Sequence, residues 1–123
     1  MTDKAALIAR NLIQIPLVFE NSGKSASTLV LESGYLESPD VVTVEVLTTT
    51  LKEIPEAVEA WLDWSDNKRT NAGWYFNRGG PRGYVLGYYP PSKNLPLTKY
   101  PDAYDGCANF IKREVEDIRR LTF

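Results

Sequence analysis

Two aromatic-rich segments separated by a glycine–proline turn constrain the fold of this chain most. The first, residues 73–78, reads Gly-Trp-Tyr-Phe-Asn-Arg, and the second, residues 83–89, reads Gly-Tyr-Val-Leu-Gly-Tyr-Tyr. Aromatic and β-branched residues favour strands, and the intervening Gly79-Gly80-Pro81-Arg82 is typical of a tight turn. Because strands joined by so short a connection pair in antiparallel fashion, the sequence predicts a β-hairpin over residues 74–89.

A long amphipathic segment near the end of the chain predicts a C-terminal helix over residues 102–120. Its apolar stripe consists of Ala103, Cys107, Phe110, Ile111, Val115, Ile118 and Leu121. The connecting residues 90–101 contain four prolines and predict an extended loop. A chain of 123 residues suits one domain. We therefore expect a single-domain α+β fold with several helices, a small antiparallel sheet near 74–89, and the C-terminal helix packed against that sheet.

The first third of the chain predicts further helices. Residues 3–15 carry apolar side chains at helical spacing, and Pro16 is expected to end or redirect this helix. Residues 17–24 give no clear prediction. Ser25 to Gly34 favours a short helix, with a strand as the alternative, and Ser38-Pro39-Asp40 predicts the start of another helix.

Residues 41–50 support two interpretations. Their many valines and threonines favour a strand. A helical stripe nevertheless runs from Val44 through Leu51 to Trp61 and Leu62. We interpret residues 43–67 as helical, broken or bent near Pro55; the alternative is a strand over 41–47 followed by a helix from Pro55.

The helix after Pro55 is predicted to be strongly two-sided. Ile54, Ala57, Val58, Trp61 and Leu62 fall on one side of a helical wheel. The opposite side carries the acidic residues Glu53, Glu56, Glu59, Asp63 and Asp66. A solvated helix face explains such a stripe in most proteins, but five acids in one arc also fit a surface that binds a basic protein.

The composition excludes several classes of enzyme and metal site. The chain has no histidine, so it contains neither a Ser-His-Asp triad nor a histidine metal ligand, and its single cysteine rules out an internal disulfide. Cys107 lies on an apolar stripe and is predicted to be a buried structural thiol. We expect no metal and no cofactor. The start of the chain lacks the pattern of a secretory signal, no apolar run is long enough to cross a membrane, and the lone thiol suits the cytoplasm.

The charge is distributed unevenly along the chain, although the total is only −2. Residues 1–67 hold eleven acids and four bases, whereas residues 68–101 hold six bases and no acid. Bases interleaved with aromatic rings are the pattern of a single-strand binder, since bases contact phosphates and rings stack on nucleobases. An alternative ligand-binding set for a nucleic acid or a phosphate ligand is therefore Lys68, Arg69, Arg78, Arg82, Tyr84 and Tyr88.

These observations favour a binding protein over an enzyme. In general character the chain is similar to the small, acidic, tryptophan-rich inhibitor or immunity-type proteins of bacteria, although it shares no specific motif with them. We interpret it as a small soluble cytoplasmic protein that engages a protein partner through the acidic helix face. The alternative is a nucleic-acid or phosphate-ligand binder that uses the basic aromatic segment 68–101.

Overall fold

The computed structural model describes residues 3–67, 73–80, 83–91 and 93–123. Within these ranges the chain forms six α-helices and one three-stranded antiparallel sheet, which confirms the predicted α+β fold. The helices are α1 (Lys4–Ile13), α2 (Ile15–Ser22), α3 (Ala26–Ser33), α4 (Val44–Glu53), α5 (Glu56–Asn67) and α6 (Ala103–Thr122). The strands are β1 (Gly73–Arg78), β2 (Tyr84–Tyr89) and β3 (Thr98–Tyr100), in the spatial order β1-β2-β3.

The break between the first two helices lies at Gln14, two residues before the proline at which the sequence predicts it. Asp3 caps α1 by accepting a hydrogen bond from the Ala5 N–H at 3.0 Å. Gln14 lies between the helices, and Pro16 occupies the first turn of α2, where its missing N–H costs no helical hydrogen bond. The chain is therefore redirected just before Pro16, and most of the undecided segment 17–24 is helical.

The helical interpretation of Ser25–Gly34 is confirmed, and the strand alternative is wrong. Ser25 caps α3 by accepting a hydrogen bond from the Thr28 N–H. Gly34 ends the helix at φ 92°, a left-handed conformation that glycine adopts without steric cost.

The broken-helix interpretation of residues 43–67 is also confirmed, and the alternative strand over 41–47 is wrong. The threonines are tolerated in α4 because Thr48 and Thr50 donate hydroxyl hydrogen bonds to the carbonyls of Val44 and Val46. The helix start predicted at Ser38-Pro39-Asp40 is only a 3₁₀ turn over Pro39–Val41. The α-helix begins later, where Thr43 accepts a hydrogen bond from the Val46 N–H.

The predicted hairpin is confirmed, with Trp74 opposite Tyr88 and Phe76 opposite Leu86. The prediction of an extended loop over the whole of 90–101 is wrong at one point, because Thr98–Tyr100 pairs with β2 as the edge strand β3. Helix α6 packs on this sheet as predicted. The approach is close at Gly106, where a Cβ atom would stand 2.9 Å from the Phe76 ring.

Helix α5 lies against the outer edge of β1, which, like β3, has a sheet neighbour on one side only. The Phe76 N–H points away from β2 and donates a hydrogen bond to the Ser65 hydroxyl at 2.7 Å. A helix side chain thus satisfies a backbone group that the sheet leaves unpaired. This bond fixes α5 relative to the sheet.

Trp61 lies at the centre of the core. Its indole N–H donates to the Ile13 carbonyl at 2.9 Å, and its ring meets Phe110 edge-on at 5.8 Å. The predicted burial of Trp61, Phe110, Ile111 and Val115 is confirmed, whereas Ile118 is only partly buried. Cys107 is fully buried, and burial raises the pKa of its thiol. Within the described residues, no helix combines the length and the apolar character that crossing a bilayer requires.

Candidate protein-docking surface

The predicted acidic residues are all exposed, but they do not share one helix. Glu56, Glu59, Asp63 and Asp66 lie along the outer side of α5, and we call these four residues the acidic face of α5. Glu53 is the last residue of α4. Its placement on the same stripe was wrong, because the chain changes direction at Ile54 and Pro55 and a single helical wheel does not apply across that break.

The five carboxylates also differ in whether a cation neutralises them. Glu53 contacts the Arg10 guanidinium at 3.4 Å, and Glu59 contacts the Arg78 guanidinium. Glu56, Asp63 and Asp66 have no ion-pair partner among the described residues. Three like charges on one helix face therefore have no counter-charge within the part of the chain that the structure describes.

The three described members of the alternative ligand-binding set, Arg78, Tyr84 and Tyr88, already make contacts within the fold. Arg78 is engaged by Glu59. Tyr84 and Tyr88 are on the side of the sheet that faces the core: Tyr84 stacks on Phe76 with ring centroids 5.5 Å apart, and Tyr88 meets Trp74 edge-on at 5.2 Å. Both tyrosine rings are partly buried against the core. Lys68, Arg69 and Arg82 lie outside the described residues.

A groove between α2 and α5 adjoins the acidic face, and sequence reasoning missed it. It has a volume of about 470 Å³. Its lining residues are Pro16, Leu17, Phe19, Glu20, Ala60, Asp63, Trp64 and Asn67. We call this feature the α2–α5 groove. The only sequence signal was the apolar run Leu17-Val18-Phe19 in the segment without a prediction, and these side chains are 44%, 42% and 37% exposed.

Trp64 forms the wall of this groove and is held from three sides. Its indole N–H donates to the buried Glu114 carboxylate at 2.9 Å. The Phe19 ring meets it edge-on at 5.1 Å, and the Trp61 ring lies 5.6 Å away. Because both rings and the hydrogen bond restrain the indole, the groove has a fixed apolar wall beside exposed charge.

A second polar region lies where α6 meets the 3₁₀ turn Tyr35–Glu37, and its side chains are hydrogen-bonded to one another. The buried Tyr35 hydroxyl donates to Glu116 and accepts from the Lys112 ammonium at 2.8 Å. Arg119 donates twice to Glu116, each time at 2.9 Å. We call Tyr35, Lys112, Glu116 and Arg119 the Tyr35 cluster.

The pKa values of the Tyr35 cluster follow from these contacts. Hydrogen bonds from Arg119 and then Tyr35 lower the pKa of Glu116 to about 2, against an opposing effect of burial. Burial and the Glu116 carboxylate raise the pKa of Tyr35, and burial lowers that of Lys112. These groups stabilise one another, and within the described residues no buried side-chain polar atom lacks a hydrogen-bond partner. The arrangement has the character of a structural network.

Neither metal geometry nor similarity to other proteins indicates a function. In the part of the chain that the structure describes, no three His, Cys, Asp or Glu residues come together as metal ligands would. The chain matches no protein-family model, and no curated protein or solved structure is significantly similar to it. A functional hypothesis therefore depends on the surface of the chain itself.

Proposed function

We propose that this chain is a non-catalytic, cytoplasmic protein-binding module of the inhibitor or immunity type. It engages a basic protein partner through the acidic face of α5. The observation that supports this proposal is the set of exposed carboxylates of Glu56, Asp63 and Asp66, which have no ion-pair partner among the described residues.

Two acidic residues on other helices are, by contrast, paired with a cation. Glu32 pairs with Lys24 at 2.9 Å, and Asp117 pairs with Arg120 at 2.7 Å. Exposed like charges on one helix face repel one another mildly and add little to folding. Because Glu56, Asp63 and Asp66 are concentrated on one helix, we expect their positive counterpart on another molecule.

The rigid attachment of α5 suits it to binding. Its inner side is anchored by Trp61, and Ser65 ties it to the sheet. A charged surface held in one orientation attracts a complementary partner over a distance of about the Debye length, roughly 8–10 Å at physiological salt. Such steering acts mainly on the association rate, and salt weakens it.

The alternative of nucleic-acid or phosphate binding receives less support from the side-chain positions. Arg78 is already paired, and the rings of Tyr84 and Tyr88 contact Phe76 and Trp74. Single-strand binding at physiological salt that Arg78→Ala abolishes would favour this alternative.

The test compares association rates of matched charge variants with a partner that is first isolated by pull-down and then purified. The test variant is Glu56→Gln/Asp63→Asn/Asp66→Asn. The control, Glu37→Gln/Asp40→Asn/Glu45→Gln, removes the same charge from exposed residues on other elements. We expect the test variant to associate about tenfold more slowly at low salt, with the difference shrinking at high salt, and the control to resemble the wild type.

Equal association rates for the test variant and the control at both salt concentrations would contradict the proposal. Thermal melting of each variant accompanies the measurement, because a rate comparison is valid only between folded proteins. The amide substitutions keep the size of each side chain, so a lost interaction is attributable to charge.

A further inference from the structure

We propose that the α2–α5 groove receives an apolar side chain from a short, basic, amphipathic segment of a protein partner. This inference rests on the proposed function and specifies the chemistry of the partner. Asp63 connects the two surfaces, because it belongs to the acidic face of α5 and also lines the groove.

The size and lining of the groove suit an apolar side chain. A volume of about 470 Å³ lies within the range of ligand pockets, roughly 300–1,000 Å³. Leu17 and Phe19 remain substantially exposed on α2, whereas Ile15 of the same helix is buried in the core. Adjacent apolar side chains left facing solvent beside a groove are typical of an interaction site.

The restrained Trp64 ring reduces the cost of binding. A partner that contacts this indole does not have to order it first, since Phe19, Trp61 and Glu114 already hold it. Tryptophan is also among the residues that contribute most to protein–protein affinity. The groove therefore presents a preorganised anchor point.

The charge of the rim identifies the kind of occupant. Glu20 and Asp63 are exposed at the groove, and none of the described residues that line it is lysine or arginine. An apolar side chain would pack against the apolar walls of the groove, and basic residues on either side of it would pair with the carboxylates at the rim. An anionic membrane surface would be repelled by the same carboxylates. An amphipathic helix with leucine anchors and lysine flanks has the required pattern.

Two fluorescently labelled peptides test the proposal by fluorescence anisotropy. The probe is a short helical peptide of leucine and lysine, and its control carries serine in place of leucine at the same charge. We expect the leucine peptide to bind at least about tenfold more tightly, because only it supplies the apolar anchor.

A matched pair of protein variants locates the site. Leu17→Ser removes an exposed groove leucine, and Leu31→Ser removes a similarly exposed leucine on α3 outside the groove. We expect Leu17→Ser to weaken leucine-peptide binding about tenfold and Leu31→Ser to leave it unchanged. Ala60→Gln provides a second variant. Its larger side chain should partly fill the groove and so weaken binding of the leucine peptide.

The outcomes separate this inference from the proposed function. Equal binding of both peptides, with loss only in the Glu56/Asp63/Asp66 amide variant, overturns the groove and leaves the proposed function standing. Loss in Leu17→Ser with full binding by the amide variant contradicts the proposed function. No binding of the leucine peptide overturns the groove proposal, as does self-association in sedimentation velocity that Leu17→Ser abolishes, because the occupant would then be a second copy.

Discussion

The acidic face of α5 and the Tyr35 cluster are both rich in charged side chains, but they differ in whether those charges are paired. In the cluster, the Glu116 carboxylate accepts hydrogen bonds from Tyr35 and Arg119, and Lys112 donates to Tyr35 and to the Pro39 carbonyl. On α5, Glu56, Asp63 and Asp66 have no counter-charge among the described residues. Charged residues in the first region hold elements of the fold together, whereas those in the second are exposed to solvent.

The difference shows that helical amphipathicity alone does not reveal which charges serve folding. Both α5 and α6 are amphipathic, with polar residues outside and apolar residues inside. Only the tertiary contacts distinguish them, because Tyr35 comes from a distant turn to meet α6. The two regions should accordingly respond differently to mutation.

The largest effect on stability is expected from a substitution on the inner side of α5. The packing of this side determines the orientation of the acidic face. Trp61→Ala should lower the free energy of unfolding by about 3–5 kcal/mol, because it removes a buried aromatic ring and leaves a cavity. It also leaves the Ile13 carbonyl without the indole donor. Urea denaturation provides the measurement, and a loss below about 1 kcal/mol would mean that α5 is not anchored in this way.

The next effect concerns the Tyr35 cluster. Glu116→Gln should lower the free energy of unfolding at neutral pH by about 1–3 kcal/mol, because it removes the charged acceptor of Tyr35 and Arg119. The pKa of Glu116 is lowered in the folded state, so its contribution is present above about pH 4.5 and is lost as the pH falls towards about 2.

The pH dependence of unfolding checks this assignment. Urea denaturation at several pH values should show a smaller loss of stability between pH 4.5 and 2 in Glu116→Gln than in the wild type. If the free energy of unfolding changes equally with pH in the two proteins, Glu116 does not form an ion pair in the folded state. The contrast between the Tyr35 cluster and the acidic face of α5 would then fail.

A smaller effect is expected at the ion pair between Glu59 and Arg78. Both side chains are more than half exposed, so water screens their attraction. A double-mutant cycle of Glu59→Gln and Arg78→Ala should give a coupling of about 0.2–1 kcal/mol. A coupling well above that range would mean that this pair stabilises the fold, as the charges of the Tyr35 cluster do.

The smallest effect is expected at the unpaired charges themselves. Asp63→Asn/Asp66→Asn should change the free energy of unfolding by no more than about 0.5 kcal/mol, since both side chains are exposed. The change should be towards stability, because it relieves repulsion at i,i+3 and removes negative charge near the helix C-terminus. A clear destabilisation in thermal and urea unfolding would assign these carboxylates to the fold.

The sequence predicted those elements whose signals are local. Aromatic strands around a glycine turn identified β1 and β2, and apolar spacing identified α5 and α6. Strand β3 was missed because its three residues, Thr98–Tyr100, follow prolines and are extended by pairing with β2 rather than by their own preference. The outward direction of the acidic residues was predictable from the buried stripe opposite them.

Features that depend on distant contacts could not be predicted in this way. The α2–α5 groove requires two helices to meet across about forty residues of sequence, and residues 17–24 gave no periodic signal. The pairing of Glu53 with Arg10, and of Glu59 with Arg78, likewise depends on how helices and sheet pack. Local patterns therefore give the direction of a charge but not its partner.

The hydrogen bond from the Phe76 N–H to Ser65 has a consequence for solubility. An exposed edge strand offers unpaired backbone groups to the strands of other molecules and so promotes aggregation. Strand β1, with the sequence Gly-Trp-Tyr-Phe-Asn-Arg, is rich in the aromatic residues that favour such association. Because α5 covers this edge, any displacement of the helix would expose an aggregation-prone strand.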